Sequence, residues 1–276
     1  MSTNKVLSAN IQFTSERYSY HVKFNMENIG QYRTYLKYDD NLLDAPVSVY
    51  KYFGRNTNSL NSLKENYLYF SDPRKFNDPF DCLVNRENFI VANKANMQKH
   101  RDNIGVCSFS MINDNPLMWG HYANCFSGFC LKIKNNLKNN GEIAVLGHVA
   151  YLEDYNGSNE TLKRAINNVN GMTIESYEKN TIQTALKILY EYCWKFHDWK
   201  YEKEYRAVSI NALNFDRKFY YEKNQIEEIY IGYRMQLYYP TYYKNFMKII
   251  KKYYSHVNVY EVKPHPIKVK LEFTQI

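Results

Sequence analysis

The stretch Trp199-Lys-Tyr-Glu-Lys-Glu-Tyr-Arg-Ala-Val-Ser-Ile210 carries the decisive pattern of this chain. Its alternation has a period of two, which predicts a β-strand with Glu202, Glu204 and Arg206 on one face. Like charges two residues apart on a strand raise one carboxyl pKa unless a cation neutralises them, and Arg206 stands next in the same row. Such a face is either a solvated sheet edge or a chemical site.

Outward from this strand, Ile226-Glu-Glu-Ile-Tyr-Ile-Gly232 reads as a buried strand, and a Tyr/Lys-rich helix is expected at 240–254 before strands at 257–262 and 267–273. On the N-terminal side, 158–196 reads as a long helix, with apolar residues recurring at Ile182, Ala185, Leu186, Leu189 and Cys193. Strands are expected at 47–53, 67–71, 104–110, 128–133 and 143–151, with a helix at 59–66 and a polar helical stretch between Phe80 and Ile104. Pro116 stands at a first helical position, so 117–123 is expected to be a short helix. Phe76-Asn-Asp-Pro-Phe80 is a turn-rich loop, because proline fixes φ and Asn-Asp favours side-chain-to-backbone turns. Residues 1–46 read as a polar extension laid on the core, with one strand at 18–24, and 47–276 as a single domain. Strands and helices interleave without strict βαβ alternation, so the expected class is α+β with mixed, largely antiparallel sheets and flanking helices.

Composition narrows the function classes. The 276 residues suit one core of roughly 200–250 residues with decorations. A chain 45% hydrophobic and 17% aromatic can bury such a core. No apolar run approaches a membrane span, and residues 1–5 lack the apolar stretch of a signal peptide, so a cytoplasmic location is expected. The five cysteines are odd in number and form no CxxC pair, which reads as free, buried thiols. The seven histidines show no ligand spacing, so no metal site is expected. GxGxxG, GxxxxGK[ST], HExxH and GxSxG are all missing. The balance of 36 basic against 28 acidic residues gives +8, which permits an anionic partner such as RNA. Heavy use of Tyr, Asn and Lys is the residue bias of an AT-rich gene, common in mobile bacterial loci.

Two further clusters bear chemistry. In Tyr50-Lys51-Tyr52, the strand period turns Lys51 away from the two tyrosines. Trp119 and Tyr122, three apart, share a helix face fit to clamp a planar ring or to anchor a core. Ser108 and Ser110 share one strand face, from which a hydrogen bond to a ribose or a catalytic carboxylate is expected.

The order YKY, a helix, LYFSxPxxFNDPF, SFS, WxxYAxxxxGFCLxI, WxYExEYR and IxxIYIG, over roughly residues 48–235, resembles a bacterial domain family of unknown function, some members of which sit in defence and toxin–antitoxin loci. The layout also resembles an ADP-ribosyltransferase core. The resemblance implies NAD as substrate. The first-strand position under the NAD ribose falls on Tyr50 or Lys51, the Ser-x-Ser strand on Ser108 and Ser110, and the catalytic ExE strand on Glu202 and Glu204. Glu204 would stabilise the ribosyl cation and Glu202 would orient or deprotonate the acceptor. Tyr50, Tyr52, Trp119 or Tyr122 would stack on nicotinamide or adenine, and Lys51, Arg206 or Arg55 would hold the diphosphate. Asn77 and Asp78 would cap the pocket, with Ser71 and His121 completing the cofactor contacts. The expected protein is thus an NAD-dependent ADP-ribosyltransferase, a toxin or anti-phage effector acting on single-stranded RNA or next on protein, with an antitoxin or phage-derived activator as a further partner. A metal-dependent nuclease built on Asp78, Asp81, Asp198 and Lys200, or a non-catalytic recognition module, are the alternatives.

Overall fold

The computed structural model describes residues 6–12, 18–25, 32–39, 41–78, 80–82, 102–137, 142–153 and 159–276. The polar stretch expected to be helical between Phe80 and Ile104 lies almost wholly outside them. The class is α+β, with mixed, mostly antiparallel sheets and several helices.

The centre is an eight-stranded sheet. Its strands are β5 (Ser48–Phe53), β7 (Gly105–Ser110), β8 (Phe129–Lys134), β9 (Val145–His148), β12 (Glu204–Ser209), β14 (Ile226–Gly232), β15 (Asn258–Pro264) and β16 (Leu271–Gln275). They lie in the order β16-β15-β14-β8-β5-β7-β12-β9. Every pairing is antiparallel except β14 with β15. The three segments singled out by sequence therefore become neighbours, because β5 bonds to β7 and β7 bonds to β12, with Glu204 opposite Ser110 and Arg206 opposite Ser108.

Strand alternation gives the sheet two different faces. The back carries Val49, Cys107, Phe109, Phe129, Leu131, Ile133, Tyr205, Ala207, Ile229 and Ile231. Against it pack helix α1 (Thr57–Glu65) through Leu63, the two-stranded antiparallel sheet of β6 (Tyr67–Tyr69) with β13 (Lys218–Tyr220) through Leu68 and Phe219, and helix α6 (Pro240–Tyr253) through Phe246 and Ile250. A short helix, α5 (Arg234–Tyr238), precedes α6. The front is divided. Helix α2 (Pro116–Tyr122) sets Met118 and Trp119 against Tyr52, Cys130 and Tyr230. Helices α3 (Asn159–Asn170) and α4 (Ser176–Tyr192) cover Val106, Val145 and Val208.

Four expectations change. Residues 6–43 hold a four-stranded antiparallel sheet, β1 (Val6–Gln12), β2 (Tyr18–Asn25), β3 (Tyr32–Tyr38) and β4 (Asn41–Leu43), where one strand was expected. It is pinned by the Tyr20 hydroxyl, which donates to the His148 carbonyl at 2.7 Å. The Asp44 carbonyl also lies 2.7 Å from His148 Nε2. The expected strand at 143–151 is two, β9 and β10 (Ala150–Leu152). The helix expected over 158–196 is two helices, followed by a strand, β11 (Trp194–Phe196), paired in parallel with β10. Finally, only the second half of the decisive stretch is strand. Residues 197–202 wind as a 3-10 turn (His197–Glu202), and Lys203 takes a left-handed φ of 44° before β12 begins. Non-glycine residues adopt that region sparingly, so no local signal announces the break.

Candidate functional site

Glu202 thus reaches the site from a turn, and not from the strand face it was expected to share with Glu204. The turn is held where Ser110 Oγ donates to the Glu202 carbonyl at 2.7 Å and accepts from the Ile112 amide at 3.1 Å. Ser110 therefore positions backbone, where a ribose or carboxylate contact was expected of it. Ser108 does meet a carboxylate, since its hydroxyl helps to hold Glu204 in the ionised form. Its carbonyl accepts from Lys51 Nζ at 2.8 Å.

Glu202 and Glu204 line one cleft of about 180 Å³. Tyr50 and Tyr52 from β5, Ser108 and Ser110 from β7, Tyr122 from α2 and Lys195 from β11 share its wall. Lys51, Ser71 and Asn77 stand there too, as does Phe76 of the FNDPF loop. Ser71 is fixed by a two-way backbone bridge to Val106, at 2.9 and 2.8 Å.

Five of the sequence-chosen groups fall elsewhere. Trp119 is fully buried, donates Nε1–H to the Asn113 carbonyl at 2.7 Å and stacks on Phe126, so it anchors the core and meets no cleft. His121 sits outside the cleft wall against Tyr122 and Tyr201. Asp78 caps its own turn, its Oδ1 accepting from the Phe80 amide at 2.9 Å, and lies off the wall. Arg55 lies over the Tyr239 ring, 3.5 Å from its centroid, also off the cleft wall. Arg206 is 1% exposed, and all five of its guanidinium N–H donors have partners. Two bond Glu204 at 2.7 and 3.0 Å, two bond Asp81 at 2.8 and 2.7 Å, and one bonds the Tyr192 carbonyl at 2.6 Å. No donor remains for a diphosphate.

Sequence reading assigned no role to Lys195, and Asp81 entered it only as a nuclease metal ligand. In the fold Lys195 Nζ lies 2.6 Å from Glu202, 3.5 Å from Glu204 and 3.5 Å from Asp81. No spacing signal could have found either residue, because each reaches the cluster by a tertiary route. Asp81, one of the three aspartates of the nuclease alternative, pairs with Arg206 and lies 3.5 Å from Lys195. Among the described residues, no group of three or more His, Cys, Asp and Glu side chains stands close enough to hold a metal ion.

The environment drives the two glutamates apart. Burial pushes the Glu204 carboxyl up, but Arg206 and then Lys195 outweigh it and hold the pKa down at about 2. Burial also raises Glu202, and the Glu204 charge raises it further, while Lys195 opposes both without winning. Tyr122 donates to Glu202 Oε1, and burial followed by that carboxylate's charge lifts the phenol far above its ordinary pKa. A pair of carboxyls separated in this way is the usual signature of divided acid–base roles.

No curated protein matches this chain, and no solved structure matches it. A domain described as Protein of unknown function (DUF2971) is found at residues 118–207, about a third of the chain, running from α2 to β12 and including Lys195, Glu202, Glu204 and Arg206.

Proposed function

We propose that the protein is an NAD-dependent ADP-ribosyltransferase, a cytoplasmic toxin or anti-phage effector, with RNA as its first acceptor and protein next. The observation that carries the reading is the convergence in one cleft of Tyr50 and Lys51, Ser108, and Glu202 with Glu204 from three segments far apart in sequence.

The chemistry follows from the residues. The bond from ribose C1′ to the nicotinamide nitrogen breaks, nicotinamide leaves with the electron pair, and positive charge develops on the ribose through an oxocarbenium-like state. A carboxylate that stays ionised stabilises that charge best, and electrostatic contributions of this kind are worth several kcal/mol. Glu204, held at a pKa of about 2, has this property. The acceptor oxygen or nitrogen then bonds to C1′ and gives up its proton, which needs a base whose proton affinity is raised. Glu202 has that property. Tyr50, Tyr52 and Tyr122 supply ring walls for the nicotinamide, and Lys51 of the cleft wall meets the diphosphate. A cleft of about 180 Å³ is smaller than the roughly 300–1,000 Å³ of pockets that enclose a whole drug-sized ligand. It therefore seats the nicotinamide riboside end, with the adenosine end lying outside. The excess of +8 favours a polyphosphate acceptor, since Lys and Arg neutralise phosphates.

The test is incubation with ³²P-labelled NAD⁺ and total RNA or lysate protein, with and without phage lysate. Label in either pool, lost in folded Glu204→Gln, is the expected result. Neither label nor nicotinamide release in any arm overturns the transferase, and full activity in folded Glu204→Gln overturns the assignment of the site.

A further inference from the structure

The buried cluster has an unequal charge count. Asp81, Glu202 and Glu204 bring three carboxylates, against two cations, Lys195 and Arg206, and all five side chains are at least nine-tenths buried. Arg206 spends its fork on Asp81 and Glu204, both bidentate. It makes no contact with Glu202. Lys195 is the only cation bonded to Glu202 among the described residues, at 2.6 Å, and its next carboxylates are a full 3.5 Å away. Its place is set by β11, where Lys195 pairs with Tyr151 of β10. The same Tyr151 accepts from the Glu204 amide through its hydroxyl at 2.7 Å. The Lys195 ammonium also lies over the Trp199 ring, 4.8 Å from the centroid, and the side chain is buried.

From this geometry we infer that Lys195 is a positioning residue which decides how the two carboxylates share their work, keeping Glu202 able to lose its proton beside an ionised Glu204. The role rests on the reading of the cleft as a transferase site and adds a residue to it. Glu202 is faced by Tyr122 from α2, Lys195 from β11, Glu204 from β12, Tyr151 from β10 and Tyr201 from its own turn, while Asp81, just after the FNDPF loop, and Arg206 reach it only through Lys195 and Glu204. Among these, the Glu204 charge opposes a second negative charge on Glu202, while the Tyr122 phenol donates to it and supports one. Burial and the Glu204 charge already favour the protonated form, and Lys195 is the chief force against them. Without the ammonium, Glu202 would hold its proton to higher pH and cease to serve as a base near neutrality. An opposite charge within about 4–6 Å moves a carboxyl pKa by roughly 1–3 units, which sets the size of the effect.

The experiment is a carboxyl ¹³C NMR titration of Glu202, assigned by comparison with Glu202→Gln, in the unsubstituted chain and in Lys195→Met and Lys195→Arg. The expected result is a Glu202 titration moved upward by about one unit or more in Lys195→Met and restored by Lys195→Arg. An unmoved titration in folded Lys195→Met overturns the role. Should Lys195→Met fail to fold, the Lys195 ¹⁵Nζ resonance of the unsubstituted chain decides, because it must move with the Glu202 titration, and a flat response overturns the role. Neither readout needs turnover, so this inference and the transferase reading can fail separately. If transfer occurs, the acid limb of the kcat profile shifts upward in Lys195→Met and alkaline pH restores the rate. A merely structural loss would lower kcat evenly at every pH.

Discussion

The two faces of the central sheet are built from the same strands and are stabilised in opposite ways. On the back, Phe129, Leu131, Ile229 and Ile231 bury side chains that owe water nothing, and helix α6 covers them through Phe246 and Ile250. On the front, Glu204 and Arg206 alternate along β12 with the back-face residues Tyr205 and Ala207 and are buried just as fully. Each charge there is tolerable only because a partner is fixed beside it, since removing an ion from water costs several kcal/mol even after relaxation. A back-face residue can shrink and leave a void. A front-face residue that is lost leaves a stranded charge.

This contrast can be broken most directly at Arg206. Arg206→Met leaves Asp81 and Glu204 buried without their fork, and a loss of about 3–5 kcal/mol is expected in urea unfolding. Leu131→Ala on the back face should cost about 2–5 kcal/mol, from lost transfer energy plus the cavity. Replacing Asp81, Glu204 and Arg206 together by apolar residues of similar size should recover most of the Arg206→Met loss. No recovery would mean that the front face is held by something other than paired charge.

Acid sharpens the comparison further. Glu204 has a folded pKa of about 2 against an ordinary 4.5, so its contribution is present above pH 4.5 and is lost as pH falls toward 2. Glu202 acts in the opposite sense. Its folded pKa is raised, so its contribution is full below pH 4.5 and fades as pH rises through the folded value. Thermal unfolding followed from pH 7 to 2 should therefore fall less steeply below pH 4.5 in Glu204→Gln than in the unsubstituted chain. Equal slopes would remove Glu204 from the account. The smallest effect belongs to an exposed pair. Lys163 and Glu160 on α3 meet at 3.0 Å with both side chains about two-thirds exposed, and Glu160→Ala should cost only about 0.2–0.5 kcal/mol. A larger loss would mean that burial is not what separates the two kinds of pair.

Much of the sheet was legible because period two survives in short segments. The strands read at 47–53, 104–110, 128–133 and 226–232 are β5, β7, β8 and β14 to within a residue at each end, and Pro116 with Asn115 announces α2, where Asn115 Oδ1 accepts from the Leu117 amide at 2.8 Å. The long helix was misread at both its breaks. Gly171 stood in the sequence as a stop between α3 and α4, whereas Trp194–Phe196 is a strand through its parallel pairing with β10, a partner more than forty residues away. The decisive stretch was half right, since a lysine in a left-handed conformation carries no signature of its own. Of the N-terminal sheet only β2 was read, although β1 and β3 run seven residues each, because what buries Tyr20, Val22 and Leu36 is the surface of another part of the chain.

The sequence by itself determined the strand periods, the apolar back face, and the presence of Glu202, Glu204 and Arg206 within five residues, because these are properties of neighbours along the chain. The tertiary structure alone decided that Arg206 is a buried structural fork and no ligand cation, that Trp119 is core, and that Lys195 and Asp81 complete the cluster. The physical reason is that a charge acquires its function from the charges and the water around it, and these are set by segments that meet only when the chain has folded.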